Sequence, residues 1–393
     1  MAKLSIEQVD LGGRRVFVRA DLNVPLEGGA VSDDTRLTAV LPTIEYALNA
    51  GAAVVLASHL GRPKGRPAPE YSLGPIAERL AALLGRPVRL APDCVGEASA
   101  ALARALQPGE VLLLENLRFH AEEEANDDGF ARRLAALADC YVDDAFAAAH
   151  RAHASIDAIA RHLHPAAAGL LMRRELETLG RILERPDRPL VAILGGAKVS
   201  DKLALVEHLL ERVDALVIGG GMAFTFLRAM GHGIGRSLVE GDRVETARRV
   251  LESARRRGAR VVLPVDVVVA PGLDSREGRA VGIREMPADH MGLDIGPLTV
   301  ERFAATIKTA RTIVWNGPMG VFEKPPFAAG TLAVARAVGE SAAFSVVGGG
   351  DTVAAVARAG VTDRIGYIST AGGAFLEFLE GRKLPGVEAL TDA

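Results

Sequence analysis

The strongest constraint in this sequence is the regular alternation of short apolar, β-branched runs with longer Ala/Leu/Arg segments of helical period. In the first half the runs are Val16–Arg19, Ala53–Ala57, Val88–Leu90, Val111–Leu114 and Cys140–Val142. In the second half they are Leu190–Leu194, Ala215–Ile218, Arg260–Val269, Thr312–Trp315, Phe344–Val347 and Gly366–Ile368. The runs are apolar throughout, not alternating, which suits strands covered on both faces of a parallel sheet. Strand–helix alternation of this kind predicts βαβ units in open, doubly wound α/β sheets. The runs outnumber the strands of a single closed (β/α) barrel, so two sheets fit better than one barrel. At about 150 residues per domain, 393 residues also allow two domains.

Between the halves, Met172, Leu176, Leu179 and Leu183 recur on one face of an amphipathic helix over Ala166–Arg185. Pro165 precedes this segment and Pro186 and Pro189 follow it, so it reads as a helix joining two domains. The expected division is therefore a first domain over 1–165, a connector over 166–188, a second domain over 189–376 and a tail over 377–393. The tail region begins as a short helix through Leu379. Phe375, Phe378, Leu379 and Leu384 need a partner surface, so the segment is expected to dock.

Ligands of open parallel sheets bind beyond the carboxyl ends of the strands, and there the two halves differ in chemistry. The first half places polar side chains after its strands: Asp21 and Asn23, then Ser58, His59 and Arg62, then Arg118, then His150, Arg151 and His153, with Arg36 after the turn at Ser32–Thr35. The planar arginine fork binds carboxylate or phosphate bidentately. Arginines gathered from several loops make a pocket for a small, multiply charged anion, and Asp21 and Asn23 suit a hydroxyl on it. Each arginine alone reads equally as a surface charge; the shared position after strands carries the reading. The histidines lack a compact metal-ligand pattern such as HExxH.

In the second half the loops are glycine: Gly195–Gly196, Gly219–Gly221, Gly317 to Gly320, Gly348–Gly350 and Gly372–Gly373. Glycine lets the backbone approach a ligand closely, and amides at a helix start bind phosphate. One such loop is an ordinary turn. Five on one sheet edge predict a polyphosphate, hence a nucleotide. Neither the Walker A pattern nor the Rossmann GxGxxG fingerprint is present, which argues against a P-loop enzyme and a nicotinamide dehydrogenase. Only seven of the 46 basic residues are lysine, and two of those, Lys198 and Lys202, lie four apart at an expected helix start. Positive charge there opposes the helix dipole, so the pair is expected to meet an anion. Asp351, after three glycines, is a candidate Mg²⁺ ligand or else a helix N-cap.

The net charge of −3 provides no basic field for nucleic acid or an anionic membrane. No stretch approaches a membrane span, and the first residues carry charges where a signal peptide needs an apolar run. Two cysteines, Cys94 and Cys140, imply no disulfide framework and suit reduced thiols in the cytoplasm. One half for a small anion and one for a nucleotide together read as a phosphotransferase.

The motifs RADLNVP (Arg19–Pro25), SHLGRP (Ser58–Pro63), GGAKVSDK (Gly195–Lys202), GGGMAFTF (Gly219–Phe226), MGLDIGP (Met291–Pro297), WNGPMGVFE (Trp315–Glu323) and GGGDT (Gly348–Thr352) resemble, in order, the signatures of the phosphoglycerate kinase family. The resemblance implies a monomeric, two-lobed cytoplasmic enzyme of glycolysis. Its reaction would be reversible Mg²⁺-dependent phosphoryl transfer from 1,3-bisphosphoglycerate to ADP, giving 3-phosphoglycerate and ATP. Carried over by motif, Asp21, Asn23, Arg36, His59, Arg62, Arg118 and Arg151 would hold 3-phosphoglycerate. Gly196, Ala197, Lys202, Gly220, Gly221, Gly292, Glu323, Gly349, Gly350, Asp351 and Thr352 would hold the nucleotide, with Glu323 on the ribose and Asp351 on the metal. Arg36 and Lys198, with the Gly350 and Gly372 backbone, would stabilise the phosphoryl group in flight, after hinge closure. The family also implies a C-terminal tail that returns to the first domain.

Two departures from the family pattern stand out: Phe146-Ala-Ala-Ala149 before the histidine–arginine segment, and Ala371 where the family has glycine. Ala371 would be strained if a positive φ were needed there. The competing readings are a clamshell binding protein for an anionic metabolite, a nucleotide-binding protein on a kinase fold without activity, and a nicotinamide dehydrogenase.

Overall fold

The computed structural model describes residues 2–393 and divides into two compact units. The first comprises residues up to Glu177 together with Lys383–Ala393; the second is Thr178–Arg382.

The first unit contains β1 (Arg15–Arg19), β2 (Leu26–Glu27), β3 (Ala30–Val31), β4 (Ala53–Ala57), β5 (Val88–Leu90), β6 (Val111–Leu113), β7 (Cys140–Asp143) and β8 (Ala166–Ala168). Six of these form one sheet in the order β5-β6-β4-β1-β7-β8, and every pairing in it is parallel. The remaining pair, β2 and β3, makes a small antiparallel hairpin ahead of the helix Thr35–Asn49. The central strands β1, β4 and β7 are buried along nearly their whole length, which is why their sequences show no alternation. Val16, Val18, Val54, Leu56 and Val142 pack with Leu37, Val40 and Ile44 of that helix and Ile76 and Leu80 of the helix Gly74–Leu84.

β8 was not expected. Three alanines after a proline read as the start of the connecting helix, but Ala166–Ala168 pair in parallel with Tyr141–Asp143. The helix itself runs over Leu170–Glu184. Small side chains let the two chain ends lie against β8: the Thr391 amide donates to the Ala166 carbonyl (2.9 Å) and the Ala168 amide to Leu4 (2.7 Å). Lys3 pairs with Asp392 at 2.8 Å. The helix Gly372–Leu379 belongs to the second unit, and the segment that returns to the first begins at Lys383. There Gly386 donates to the carbonyl of Ala149, and a side chain at Gly386 would collide with Ile156 and Ala149. Ala149, the last residue of the run Phe146–Ala149, thus meets the tail directly.

The second unit contains β9 (Leu190–Leu194), β10 (Ala215–Ile218), β11 (Arg260–Val262), β12 (Asp266–Ala270), β13 (Arg279–Gly282), β14 (Met291–Ile295), β15 (Thr312–Asn316), β16 (Phe344–Gly348) and β17 (Tyr367–Ser369). Its main sheet, β11-β10-β9-β15-β16-β17, is again wholly parallel. The run Arg260–Val269, read as one strand, is two. Pro264, which has no amide to donate, interrupts it. Arg260–Val262 edges the main sheet, while Asp266–Ala270 pairs antiparallel with β13 and β14 in a separate small sheet. The core gathers Val191, Ile193, Trp315 and Val347 with Phe303, Ile307, Val334 and Val338. Trp315 is fully buried and satisfies its indole by donating to the carbonyl of Gly317 (2.9 Å).

Candidate active site

In the first unit the polar residues after β1, β4, β6 and β7 are tied to one another. Arg36, in the first turn of its helix, donates to Asp21 Oδ2 (2.7 Å) and to the carbonyl of Asn23 (3.1 Å). Asn23 Oδ1 accepts the amide of Gly61 (2.9 Å), so the loop after β1 is fixed to the loop carrying Arg62. Arg118 donates through Nη1 to the carbonyl of the same Gly61 (2.8 Å) and lies 3.3 Å from Glu124. Buried Asn116 closes this arrangement from below: its amide group donates to Leu60 and Tyr71, and its oxygen accepts from Leu60 and Arg118. Arg62 is exposed and makes no hydrogen bond or ion pair among the described residues.

His59 lies deep among these groups, 7% exposed. Burial, then the nearby charges of Arg19, Arg118 and Arg151, holds its imidazole well below the usual histidine range, so it is neutral at physiological pH. Arg19 Nη2 sits 3.1 Å from His59 Nδ1. A guanidinium only donates, so Nδ1 accepts and Nε2 carries the proton. Arg19 is itself buried, with Nε on Ser155 Oγ (2.9 Å). Ser155 in turn donates its hydroxyl to Glu123 Oε1 (2.6 Å) and its amide to Oε2 (2.9 Å). Burial raises the Glu123 carboxyl, against the pull of Arg19 and Ser155. His153 is depressed to about 4 by burial and by Arg118 and Arg19, so its 4.0 Å approach to Glu123 is not an ion pair at neutral pH.

Arg19, Asn116, Glu123 and Ser155 had no assigned role in the sequence. Arg19 carried a signal, standing at a strand end inside RADLNVP. Glu123 carried none: in the run Glu122–Glu124 it is indistinguishable from solvated neighbours until the fold buries it completely.

In the second unit, a cavity of about 320 Å³ opens beside the carboxyl ends of the strands. Gly196, Ala197, Gly220, Gly221, Gly292, Glu323 and Asp351 all line it, with Phe224, Leu238, Met291, Leu293 and Val321 supplying apolar walls. Glycine is required where the loops stack: a side chain on Gly220 would run into the backbone of Gly196 and Pro318, and Gly220 has φ +66°. Gly350 and Gly372 each open a helix, Gly350–Arg358 and Gly372–Leu379, with free space where a Cβ would project. Their amides are among those a helix start leaves without an internal partner. Gly349 has φ +95° and packs against Asn316, while Thr352 Oγ1 accepts the amide of Gly317 (2.7 Å).

The two lysines have different surroundings. Lys198 is exposed and makes no hydrogen bond or ion pair among the described residues. Lys202 is 9% exposed and donates to the carbonyls of Gly195 (2.6 Å) and Asn316 (2.9 Å). These carbonyls already partner the ammonium, and the α-helix begins only at Leu203, with Lys202 as its N-cap and Lys198 outside its first turn, so the helix-start argument for Lys198 does not hold. Burial lowers Lys202 to about 8.

Ala371 has φ −103° and ψ 103°, is fully buried, and needs no left-handed backbone, so replacing the glycine costs no strain there.

The family model for phosphoglycerate kinase matches residues 6–382. The chain belongs to the phosphoglycerate kinase family. It is 57% identical to the phosphoglycerate kinase of Moorella thermoacetica over the full length of both chains, and 57% identical to that of Desulforudis audaxviator over 99% of each. Its fold is similar to the solved phosphoglycerate kinase of Coxiella burnetii, with a TM-score of 0.91, 44% identity and 98% of each chain covered. The enzyme from Pyrococcus horikoshii gives a TM-score of 0.84 at 36% identity, again over 98% of each chain. The enzyme is a phosphotransferase of glycolysis, moving a phosphoryl group reversibly between 1,3-bisphosphoglycerate and ADP to give 3-phosphoglycerate and ATP. Its family uses ATP and ADP with magnesium.

Proposed function

We propose that the first unit holds phosphoglycerate and the second the nucleotide, with the roles divided among side chains as follows. Arg62, Arg118 and Arg151 bind the substrate's charged groups, His59 donates through Nε2, and Asp21 and Asn23 receive and orient the hydroxyl. Arg36, anchored by Asp21, keeps its remaining N–H groups for the transferring phosphoryl. In the second unit the apolar walls take the base, Glu323 takes the ribose, and Gly196, Ala197, Gly220, Gly221 and Gly292 let the backbone approach. Gly349, Gly350 and Thr352 shape the phosphate end, and Lys202 adds charge. Lys198 and the amides of Gly350 and Gly372 face the developing negative charge. The observation that carries this reading is the single cavity shared by several glycine loops, Glu323 and Asp351.

Asp351 fits a magnesium ion. It is an exposed hard-oxygen donor on the cavity wall, with no hydrogen bond or ion pair among the described residues. With the nucleotide phosphates as further ligands, Mg²⁺ bound there supplies neutralisation of phosphate charge. The rest falls to the protein's own groups: phosphoryl transfer asks for positioning and fixed positive charge, not a covalent protein intermediate. Both ligand sets come from one chain, in keeping with a monomer. Buried free thiols at Cys94 and Cys140 and the glycolytic reaction are in keeping with the cytoplasm.

Incubation with ATP, 3-phosphoglycerate and Mg²⁺ is expected to form ADP, with no ADP when 3-phosphoglycerate is omitted. ADP formation independent of 3-phosphoglycerate would overturn the assignment of the first unit.

The Lys202 role has a pH signature. Its folded value, about 8, lies below the ordinary lysine value of 10.5, so the ammonium is charged below about 8 and neutral above it. Mg-ADP affinity is therefore expected to fall as pH rises through 8, by up to about tenfold at pH ~9. Stability moves the other way. The unfolded chain binds the extra proton between 8 and 10.5, so the cost of burying the charge is present in full below 8 and is relieved as pH rises. Calorimetry across this range checks the first sign. An affinity that stays level, or that falls equally in Lys202→Met, would remove Lys202 from the nucleotide site.

A further inference from the structure

Outside the sites described above, Asp93, Cys94 and His120 converge at the edge of the first unit's sheet. Asp93 and Cys94 lie in the loop after β5, and His120 follows the turn Leu117–Phe119 after β6. A carboxylate oxygen, the thiol sulfur and an imidazole nitrogen from these residues lie within 4.8 Å of one another, and no other described group of His, Cys, Asp and Glu meets that condition. We propose that these three residues form a binding site for a soft or borderline divalent cation of the Zn²⁺ type.

The geometry is close to what such an ion requires. Bond lengths of about 2.0–2.3 Å place neighbouring ligand atoms of a tetrahedral site roughly 3.3–3.7 Å apart, so modest side-chain rotation from the present spacing suffices. His120 Nε2 now shares Asp93 Oδ1 at 2.7 Å, and an ion entering between them replaces one contact with two. The His120 ring is held in place by the Phe130 ring, with centroids 5.3 Å apart. Asp93 Oδ1 also accepts the Cys94 amide (2.6 Å), which fixes the carboxylate beside the sulfur. Cys94 is fully buried, whereas the side chains of Asp93 and His120 are 44% and 22% exposed. The site therefore has a closed sulfur side and an open side, where water completes a fourth position as in sites with three protein ligands.

The donor set selects the ion. Thiolate with imidazole favours Zn²⁺ and its relatives over Mg²⁺, which demands oxygen ligands. Binding displaces the Cys94 thiol proton to solvent and forms a metal–sulfur bond, without change of oxidation state. The cation would tie the loop after β5 to the loop after β6. This site is independent of the nucleotide's magnesium on the second unit.

Cobalt(II) is the probe, because a cobalt–thiolate bond gives a near-ultraviolet charge-transfer band that carboxylates and imidazoles alone do not. Full-length enzyme under reducing conditions, with excess Mg²⁺ to fill hard-oxygen sites, is titrated with Co²⁺. One equivalent is expected to develop the band, and Zn²⁺ is expected to abolish it by displacement. Cys94→Ser is expected to lose the band, and His120→Gln to lower cobalt affinity by more than about 100-fold, beyond the loss of an outer-shell partner. Cys140→Ser is expected to keep both band and affinity. Turnover of each variant shows that it is folded. Absence of the band in the unaltered enzyme, its persistence in folded Cys94→Ser, or its loss in Cys140→Ser would overturn the proposal.

Discussion

Replacing Arg36 by alanine is expected to lower kcat by about 10²-fold or more while leaving the fold intact, an effect of the size seen when one transition-state donor is removed. Arg36 Nη1 is committed to Asp21 and the Asn23 carbonyl. The guanidinium is thereby oriented before substrate arrives, and its other N–H groups need no reorganisation to meet a phosphoryl oxygen. Its side chain is 35% exposed and lies outside the hydrophobic core, and Asp21, left without its partner, keeps the Asn23 amide. Lysine at this position keeps the charge but loses the fork, so Arg36→Lys is expected to fall well short of full activity. The check is kcat at saturating substrates, beside a denaturant midpoint showing the variant as stable as the parent. A kcat within about threefold of the parent would remove Arg36 from the transferring step, since a tenfold change is only about 1.4 kcal/mol.

The second large effect is on stability. Arg19→Met is expected to destabilise the enzyme by about 3–5 kcal/mol, the usual result of removing one member of a buried charged network. The fully buried Glu123 would keep Ser155 but lose the cation that favours its ionised form. His59 would lose the donor that fixes its tautomer. The same variant is therefore expected to raise the KM for 3-phosphoglycerate by more than the KM for ATP. A fall in denaturant midpoint at constant slope measures the first consequence and steady-state kinetics the second. An unmoved midpoint would mean that Glu123 is protonated and uncoupled from Arg19.

These two predictions differ in how far the sequence led to them. Arg36 was visible as one of several arginines near strand ends, just after the turn at Ser32–Thr35. The Arg19–Ser155–Glu123 network was not, because pairing across 136 residues of chain depends on which strands become neighbours. The same distinction runs through the fold. Uniformly apolar runs marked the central strands β1, β4, β9 and β15, since burial on both faces dictates composition. β8 escaped notice because alanine is a good helix former, and its pairing with β7 is a tertiary effect. The division of Arg260–Val269 was signalled by Pro264, whereas the antiparallel partners of Asp266–Ala270 were not. At Gly220 and Gly349 the backbone takes a positive φ and packs against the protein's own neighbouring atoms, a need that a glycine-rich run signals, and Ala371 shows that one glycine of the family pattern is dispensable on backbone grounds.

Calorimetry of each ligand on paired variants tests most directly whether the two ligand sets act separately. Arg62→Ala is expected to weaken 3-phosphoglycerate by about tenfold, or about 1.4 kcal/mol, and to leave Mg-ADP unchanged. Lys202→Met is expected to do the reverse. Arg62 is exposed and Lys202 buried, so a denaturation curve for each variant separates lost binding from lost fold. If Arg62→Ala weakened Mg-ADP as much as 3-phosphoglycerate, or left 3-phosphoglycerate binding intact, the division of the two substrates between the two units would be wrong.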